Sequence, residues 1–322
     1  MNFFCSLAEL ATNISESIYK LTSNYKYIEK SGISYINKRS LTKEMKRFEG
    51  RGTADNPRKK KIIVSLTTFP ERGGDVHYCL YSLLKQSLKP DLVILWLGNE
   101  RYPNKEKSVP KSTLEMEKHG LTIDWHPDIK AYTKLIPALT RYPNDIIVTA
   151  DDDVYYPENW LEILYNSYIE HPEHIHCHRA HRITFKGSGE TEKYDKWEKR
   201  VSDNTPSVLN FATGVGGVLF PPNVFYNEIT NRDLFVKLCE NGDDIWYWAM
   251  AALKGTRTMV APGNISNLTY INPERELGLN KETTLMKVNV DKDMNDEQLH
   301  NVIGFFPDIQ KTLYSARRER GA

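Results

Sequence analysis

The sequence predicts an α/β domain built on a mostly parallel sheet with helices on both faces, and two observations carry that expectation. Short runs that are apolar almost throughout, IIVSL (62–66), LVILWL (92–97) and DIIVTA (145–150), have the texture of strands buried on both faces; a strand with one wet face would alternate. Amphipathic stretches of helical length lie between such runs, so strand and helix alternate from residue 62 onward. A chain of 322 residues that is 40% apolar and 11% aromatic holds enough material for one large core with appendages, and is too apolar to be disordered.

Residues 1–57 are polar and rich in Ser, Lys, Glu and Tyr, with Leu7, Leu10, Ala11, Ile14, Ile18 and Leu21 recurring at helical spacing. They predict one amphipathic helix in an N-terminal helical extension, suited to packing on the domain, pairing with another subunit or lying on a membrane surface. GRGTADNPRKKK (50–61) then reads as a linker, and the main domain is expected over 58–275. Inside it come the strand 62–66, a helix from about 75 to 85, the strand 92–97, a strand LTIDWH (121–126), a helix around 132–140, the strand 145–150 and a helix from about 157 to 170. The second half is less regular. It has a charged insertion (186–200), the stretch LNFATGVGGVLFPPNVF (209–225), a helix near 232–238, and the helix DDIWYWAMAALK closed by Gly255. Residues 276–322 are polar and end in RRERGA, which predicts a lid followed by a terminal helix.

Bulk charge removes several functions from consideration. Forty-three basic against 42 acidic residues leave a net charge of +1, so no general field for a polyanion exists and nucleic acid is not an expected partner. The longest basic run, Arg58 to Lys61, is read as a solvated strand entrance, with contact to anionic lipid as the alternative. Cys5, Cys79, Cys177 and Cys239 are scattered without paired spacing, which fits a reducing compartment better than a disulfide scaffold. MNFFCSLAEL lacks the basic start of a signal peptide, and no stretch approaches the ~18 apolar residues of a membrane span. The expectation is a cytoplasmic protein, with peripheral contact at the inner face of the cell membrane left open and the oligomeric state undetermined. Two sequons, at Asn264 and Asn267, are read as chance.

The chemistry concentrates in TADDDVYYP (149–157), where three carboxylates emerge at the end of an apolar strand, the place where α/β sheets bind ligands. In an extended segment Asp151 and Asp153 share a side while Asp152 turns toward the scaffold. Hard oxygen ligands of this kind suit Mg²⁺ or Mn²⁺ shared with a diphosphate. The competing reading is a turn with helix-capping aspartates. Further on, Asp243 and Asp244 open a helix, so one is expected as its cap and the other, preferably Asp244, as a general base. His171, His174, His176, His178 and His181 cluster in sequence, yet without a cysteine pair or HExxH spacing they do not read as a zinc site.

Strand, DxD, aromatic and proline, preceded by a βαβ half, resembles the glycosyltransferase A (GT-A) fold, in the style of bacterial enzymes that build capsular or lipopolysaccharide glycans; the resemblance covers roughly residues 60–275. It implies a nucleotide-sugar donor of the UDP type and a glycan or lipid-linked saccharide acceptor. The nucleoside would be held by Thr67, Thr68, Phe69 and Arg72, with Asp128 on base or ribose and Lys134 on the diphosphate. Asp151 and Asp152 would belong to the donor site, and Asp153 with Asp151 to the metal, Mn²⁺ or Mg²⁺. Asp244 and Asp243 would stand beside the acceptor, with Gly216 and Gly217 as its floor and Trp246 stacking on a sugar ring. A lid from about 272 to 296 would bring Arg275 to the diphosphate. Relatives that complete the metal shell with a histidine have no counterpart here beyond His300, which is read as a surface residue. A nucleotidyltransferase would show its glycines earlier than SLTTFPERGG does, an aspartate phosphatase needs a threonine where Tyr155 stands, and a non-catalytic glycan-binding protein would not need the aspartates.

Overall fold

A computed structural model of the chain describes residues 27–30, 33–272, 275 and 294–320. The order begins with β1 (Tyr27–Lys30), β2 (Ile33–Ile36) and helix α1 (Lys38–Met45), whose first turn is capped by the Asn37 side chain accepting from the Ser40 amide. It continues with β3 (Ile62–Thr68), α2 (Val76–Leu84), β4 (Leu92–Gly98), a single turn α3 (Lys111–Leu114) and β5 (Leu121–His126). A 3-10 turn (Lys130–Lys134) leads into α4 (Ile136–Arg141), followed by β6 (Ile146–Thr149), β7 (Val154–Tyr155), α5 (Trp160–Glu170), β8 (Ile175–Cys177) and β9 (Ala180–Arg182). The remainder holds β10 (Asn210–Ala212), β11 (Val218–Phe220), α6 (Arg232–Cys239), α7 (Asp243–Lys254), β12 (Thr258–Val260), β13 (Thr269–Tyr270), α8 (Met294–Phe305) and α9 (Pro307–Glu319).

The architecture is α/β, as expected. Its central sheet runs β12-β8-β11-β6-β3-β4-β5, and only β11 is antiparallel to its neighbours. Strand alternation divides the core in two. Ile63, Ile94, Trp96 and Ile147 face the layer with α6, α7, α8 and α9, whereas Ile62, Val64, Val93, Leu95, Ile146 and Val148 face the layer with α1, α2 and α5. Both faces are covered, which is why these strands read as unbroken apolar runs. From β3 the chain builds outward to β4 and β5 and then returns to place β6 on the other side of β3. The crevice beyond the C-terminal ends of β3 and β6 is therefore a topological switch point, the usual ligand site of an open α/β sheet.

Several expectations change. The helix predicted around Leu7 to Leu21 lies outside the described residues, and the segment 27–36 contains strands that were not foreseen. β2 and β13 pair in parallel and β13 pairs with β7, so β1-β2-β13-β7 forms a second small sheet beside the acidic segment. The supposed linker is packed: the Gly52 amide donates to the His119 carbonyl and the Ala54 amide to the Pro90 carbonyl, both at 2.8 Å. A Cβ on Gly52 would meet the Leu84 backbone, so glycine is a steric requirement there. Arg58, first of the basic run, is held by Asp91 at 3.0 Å. Most of the expected lid lies outside the described residues, but the tail contains two helices, with Leu299, Val302, Ile309 and Leu313 buried in the main core. Among the described residues no helix is long and apolar enough to cross a membrane.

Candidate active site

At the end of β3 the chain can spare side chains for the crevice because the strand is ending. Thr67 still serves the sheet, its hydroxyl donating to the Trp96 carbonyl (2.9 Å), whereas the buried Thr68 hydroxyl donates to Asp152 Oδ2 (2.5 Å). Phe69 lies under the guanidinium of Arg72, 5.1 Å from its ring centre. That guanidinium donates to Asp152 Oδ1 (2.6 Å) and Asp153 Oδ2 (2.8 Å), so strand β3 and the acidic segment after β6 are tied by one charged clamp. Burial works against the charge of Arg72, but the facing carboxylates prevail and hold it protonated.

The three aspartates separate into two groups. Asp152 turns into the scaffold as expected of the middle position, buried against Thr68 and Arg72. Asp151 and Asp153 have different protein partners: Asp151 Oδ1 accepts from Lys134 (2.8 Å), while Asp153 stays with Arg72. Asp153 Oδ1 is buried without a hydrogen bond. Burial, with Asp152 and Asp151 nearby, raises the Asp153 carboxyl to about 6, against the pull of Arg72 and Arg275. Arg275 is buried and within electrostatic reach of Asp153; the Ile271 amide, just before it, donates to the Asp153 carbonyl (2.9 Å). The Tyr156 hydroxyl accepts the Asp151 amide (2.9 Å) and donates to the Val215 carbonyl (3.1 Å), which joins the acidic segment to the glycine-rich floor.

Lys134 is the centre of the second group. It is buried, its ammonium 2.8 Å from Asp151 Oδ1 and 3.0 Å from Asp243 Oδ2, the latter contact lying off the hydrogen-bonding direction. Burial opposes its charge, yet Asp151, Asp243 and Asp244 keep its proton affinity well above normal. Neither acid of the pair caps α7, contrary to expectation: the N-cap is Gly242, and no side chain bonds to the helix start. Instead Asp243 faces Lys134 and Asp244 Oδ2 accepts the Gly214 amide at 2.9 Å. Burial and the neighbouring Asp243 push the Asp244 carboxyl up to about 7, with Lys134 and the Gly214 amide pulling the other way. A cavity of about 20 Å³ lies between Asp244, Val218, Phe220 and Thr258. It has room for about one water and is too small for a sugar ring.

The remaining candidates divide. Asp128 sits at the crevice rim, paired with Arg101 at 3.0 Å. Trp246 is fully buried with its indole N–H on the Ile229 carbonyl (2.9 Å), so it is core and not a stacking platform; Trp248 likewise donates to the Val208 carbonyl (2.8 Å). Gly216 and Gly217 are packing positions and not an acceptor floor: a Cβ on the first would lie 2.8 Å from the Arg179 Cβ, and on the second 2.4 Å from the Trp160 ring. Gly214 is the glycine at the site, as a Cβ there would stand 2.8 Å from both Asp244 Oδ1 and Lys134 Nζ. The histidines are structural: His176 bonds Ser167 and the His171 carbonyl, and His178 accepts the Ile265 amide and donates to the Trp160 carbonyl. His300 is exposed on α8. Sequence reading overlooked Tyr156 as a connector and Arg179, which stands beside Gly216 as one arginine among many; no spacing marked either.

Among the described residues no group of three or more His, Cys, Asp or Glu side chains surrounds a common point. The donor set does fit a divalent ion of the type that takes one or two protein carboxylates and completes its shell with phosphate oxygens and water, through the orphaned Asp153 Oδ1. No family model and no curated protein matches the chain. Solved structures align with it, among them residues 1–349 of S. aureus TarS, with 16% identity and a TM-score of 0.42 over 76% of this chain and 72% of that one. Another is 4-diphosphocytidyl-2C-methyl-D-erythritol synthase, with 13% identity and a TM-score of 0.41 over 69% and 98%. At that level of likeness the function has to be argued from the site.

Proposed function

We propose that the chain is a glycosyltransferase that moves a sugar from a nucleoside diphosphate donor, of the UDP type, to a glycan or lipid-linked saccharide acceptor in surface polysaccharide synthesis. The observation that carries this reading is Lys134, a buried cation that touches Asp151 of the strand-end cluster and Asp243 of the helix-start pair at once. Two acidic centres so joined, one at the switch point and one held by the Gly214 amide, have the arrangement needed to hold a leaving diphosphate and a nucleophile side by side.

In this reading Thr67, Phe69 and Asp128 bound the nucleoside end of the crevice, and Arg72, Lys134 and Arg275 supply positive charge where the diphosphate gathers negative charge as it departs. Mn²⁺ or Mg²⁺, when bound by Asp153, with Asp151 as the second carboxylate nearby, would add counter-charge to the diphosphate. Asp244 accepts the acceptor hydroxyl's proton. A carboxyl near 7 is half ionised at neutral pH and a far stronger base than an ordinary aspartate. Work at the inner face of the cell membrane, in the cytoplasm, is the location this reading implies.

The test is a calorimetric titration of the full chain with UDP, with and without Mn²⁺, followed by a panel of UDP-sugars. Micromolar UDP binding that depends on Mn²⁺, and that falls at least tenfold in Asp153→Ala, is expected. Metal-independent affinity unchanged in that variant would remove the metal assignment, and no affinity for any nucleotide would remove the donor.

A further inference from the structure

Beside Asp244 stands an arginine, Arg179, that no acid among the described residues pairs with. Arg179 stands between β8 and β9, its carbonyl accepting both the Thr213 amide (3.0 Å) and the Thr213 hydroxyl (3.4 Å). The next residue, Gly214, is the one that holds Asp244. The backbone of Arg179 is thus fixed one peptide away from the proposed base, and its Cβ fills the space left open by Gly216. Its guanidinium is half-buried, and its Nε is buried without a hydrogen-bond partner. Among the described residues it makes no ion pair. A buried donor left unsatisfied is costly, and arginine's planar fork matches phosphate and carboxylate oxygens.

Two further cations lie close by. Lys199 donates to the Tyr194 carbonyl and lies 4.0 Å from the centre of that ring, and the Arg200 amide donates to His181 Nδ1. Burial first, then Asp244, raise the Tyr194 phenol, and Arg179 works against them, so both charges lie within electrostatic reach of Tyr194. Burial first, then Lys199, Arg179 and Arg200, disfavour a charge on His181. Acids lie near as well: Glu190 pairs with Lys186 and Glu198 faces Arg182, while Asp195 and Asp296, the latter accepting the Tyr194 amide at 2.8 Å, act on Lys199 and do not pair with Arg179. Exposed lysines alone would be an ordinary solvated face. The half-buried, unpaired arginine next to the base is what makes a site.

We infer that the acceptor is anionic, and that its phosphate or carboxylate group sits on Arg179 with Lys199 and Tyr194 beside it while its hydroxyl faces Asp244. This rests on the glycosyltransferase reading for the meaning of Asp244, but the anion site is separable from it. Two sources, a sugar phosphate and a uronic acid, present the same oxyanion chemistry.

The test uses the full chain with UDP and Mn²⁺ occupying the donor site, titrated with glucose 6-phosphate, glucuronate and glucose and followed by ligand-observed NMR. Both anions are expected to bind at least tenfold more tightly than glucose, and whichever is tighter identifies phosphate or carboxylate as the group. Arg179→Gln should bring all three within about threefold of one another, and Arg179→Lys should keep part of the preference. Equal binding of the three probes to the wild type, or a preference that survives Arg179→Gln, would overturn the inference. If Arg179→Gln does not unfold cooperatively, the exposed Lys199→Gln takes its place. A loss of about threefold in anion preference is then expected, and no change counts against the site. Should UDP fail to bind, the donor reading falls, and the same titration without nucleotide still decides the anion site.

Discussion

Gly214 illustrates how a residue without a side chain can be the most constrained position in a site. Its amide holds Asp244, and the space where a Cβ would stand is 2.8 Å from the Asp244 carboxylate and 2.8 Å from the Lys134 ammonium. Gly214→Ala must push one of them aside, and misplacement of a reacting group by about 1 Å typically costs on the order of 10² in rate. Steady-state transfer should fall by about that factor, while Gly74→Ala, where nothing lies within 4 Å of the added carbon, should leave it unchanged. Equal rates in both variants would count against the Lys134–Asp244 grouping. At this scale sequence revealed the acids and little about their partners. The position of Asp151, Asp152 and Asp153 at a strand end was legible because they directly follow an unbroken apolar run. Trp246 was misread because an aromatic on a helix that is apolar all round does not announce its outward face, and here it has none. One of Asp243 and Asp244 was expected as a cap because acids at helix starts usually are; the competing attraction of buried Lys134 is a tertiary fact absent from the local pattern.

At the scale of elements, length decided what could be read. β3, β4 and β5 span six or seven residues each and were located to within two residues, since that many apolar positions suffice to show a strand. β8, β9, β10, β11 and β12 have three residues each, too few for a period to register. β2 was missed for another reason: it pairs antiparallel with its neighbour β1, but each has only four residues, and its other partner β13 is more than 200 residues away, so the helical reading of the N-terminal segment went unopposed. The two C-terminal helices were underestimated because their polar faces dominate the composition. In α9 the residues Ile309, Leu313 and Ala316 recur at helical spacing and are buried against the core that contains α7. Leu313→Ala should therefore cost about 2–5 kcal/mol, the range for deleting a fully buried leucine side chain. Removing residues 306–322 should cost more, because it uncovers the flank of the helix that carries Asp243 and Asp244. Urea denaturation checks both; a midpoint unchanged on losing α9 would show that the helix is not part of the cooperative unit.

For the whole molecule, buried titratable groups pull stability in opposite directions with pH. His176, His178 and His181 are each held down to about 4, by burial first, so between about 6.5 and 4 the unfolded chain binds protons that the native state refuses. Their contribution is complete above about 6.5 and lost as pH falls toward 4. Asp153 and Asp244 behave oppositely, since burial raises them to about 6 and about 7, so between about 4 and 7 the native state holds protons that the unfolded chain has released. Their ionisation therefore lowers stability as pH rises through that window. Near pH 5 these three histidines, joined by His77 and His174 whose values burial also lowers, outweigh the two aspartates, so stability increases toward neutrality. Asp244→Asn deletes one opposing group, so its slope should steepen by about one proton over the same window, while His178→Gln should flatten the wild-type slope by about one. Slopes discriminate better than absolute stabilities here, because a lost hydrogen bond at His178 shifts the whole curve without tilting it. Urea denaturation of the three proteins at half-unit intervals from pH 4.5 to 7.5 measures the tilt. Parallel curves for wild type and Asp244→Asn would mean that this carboxyl titrates as an ordinary aspartate, and with that its standing as a base poised near neutral pH would go.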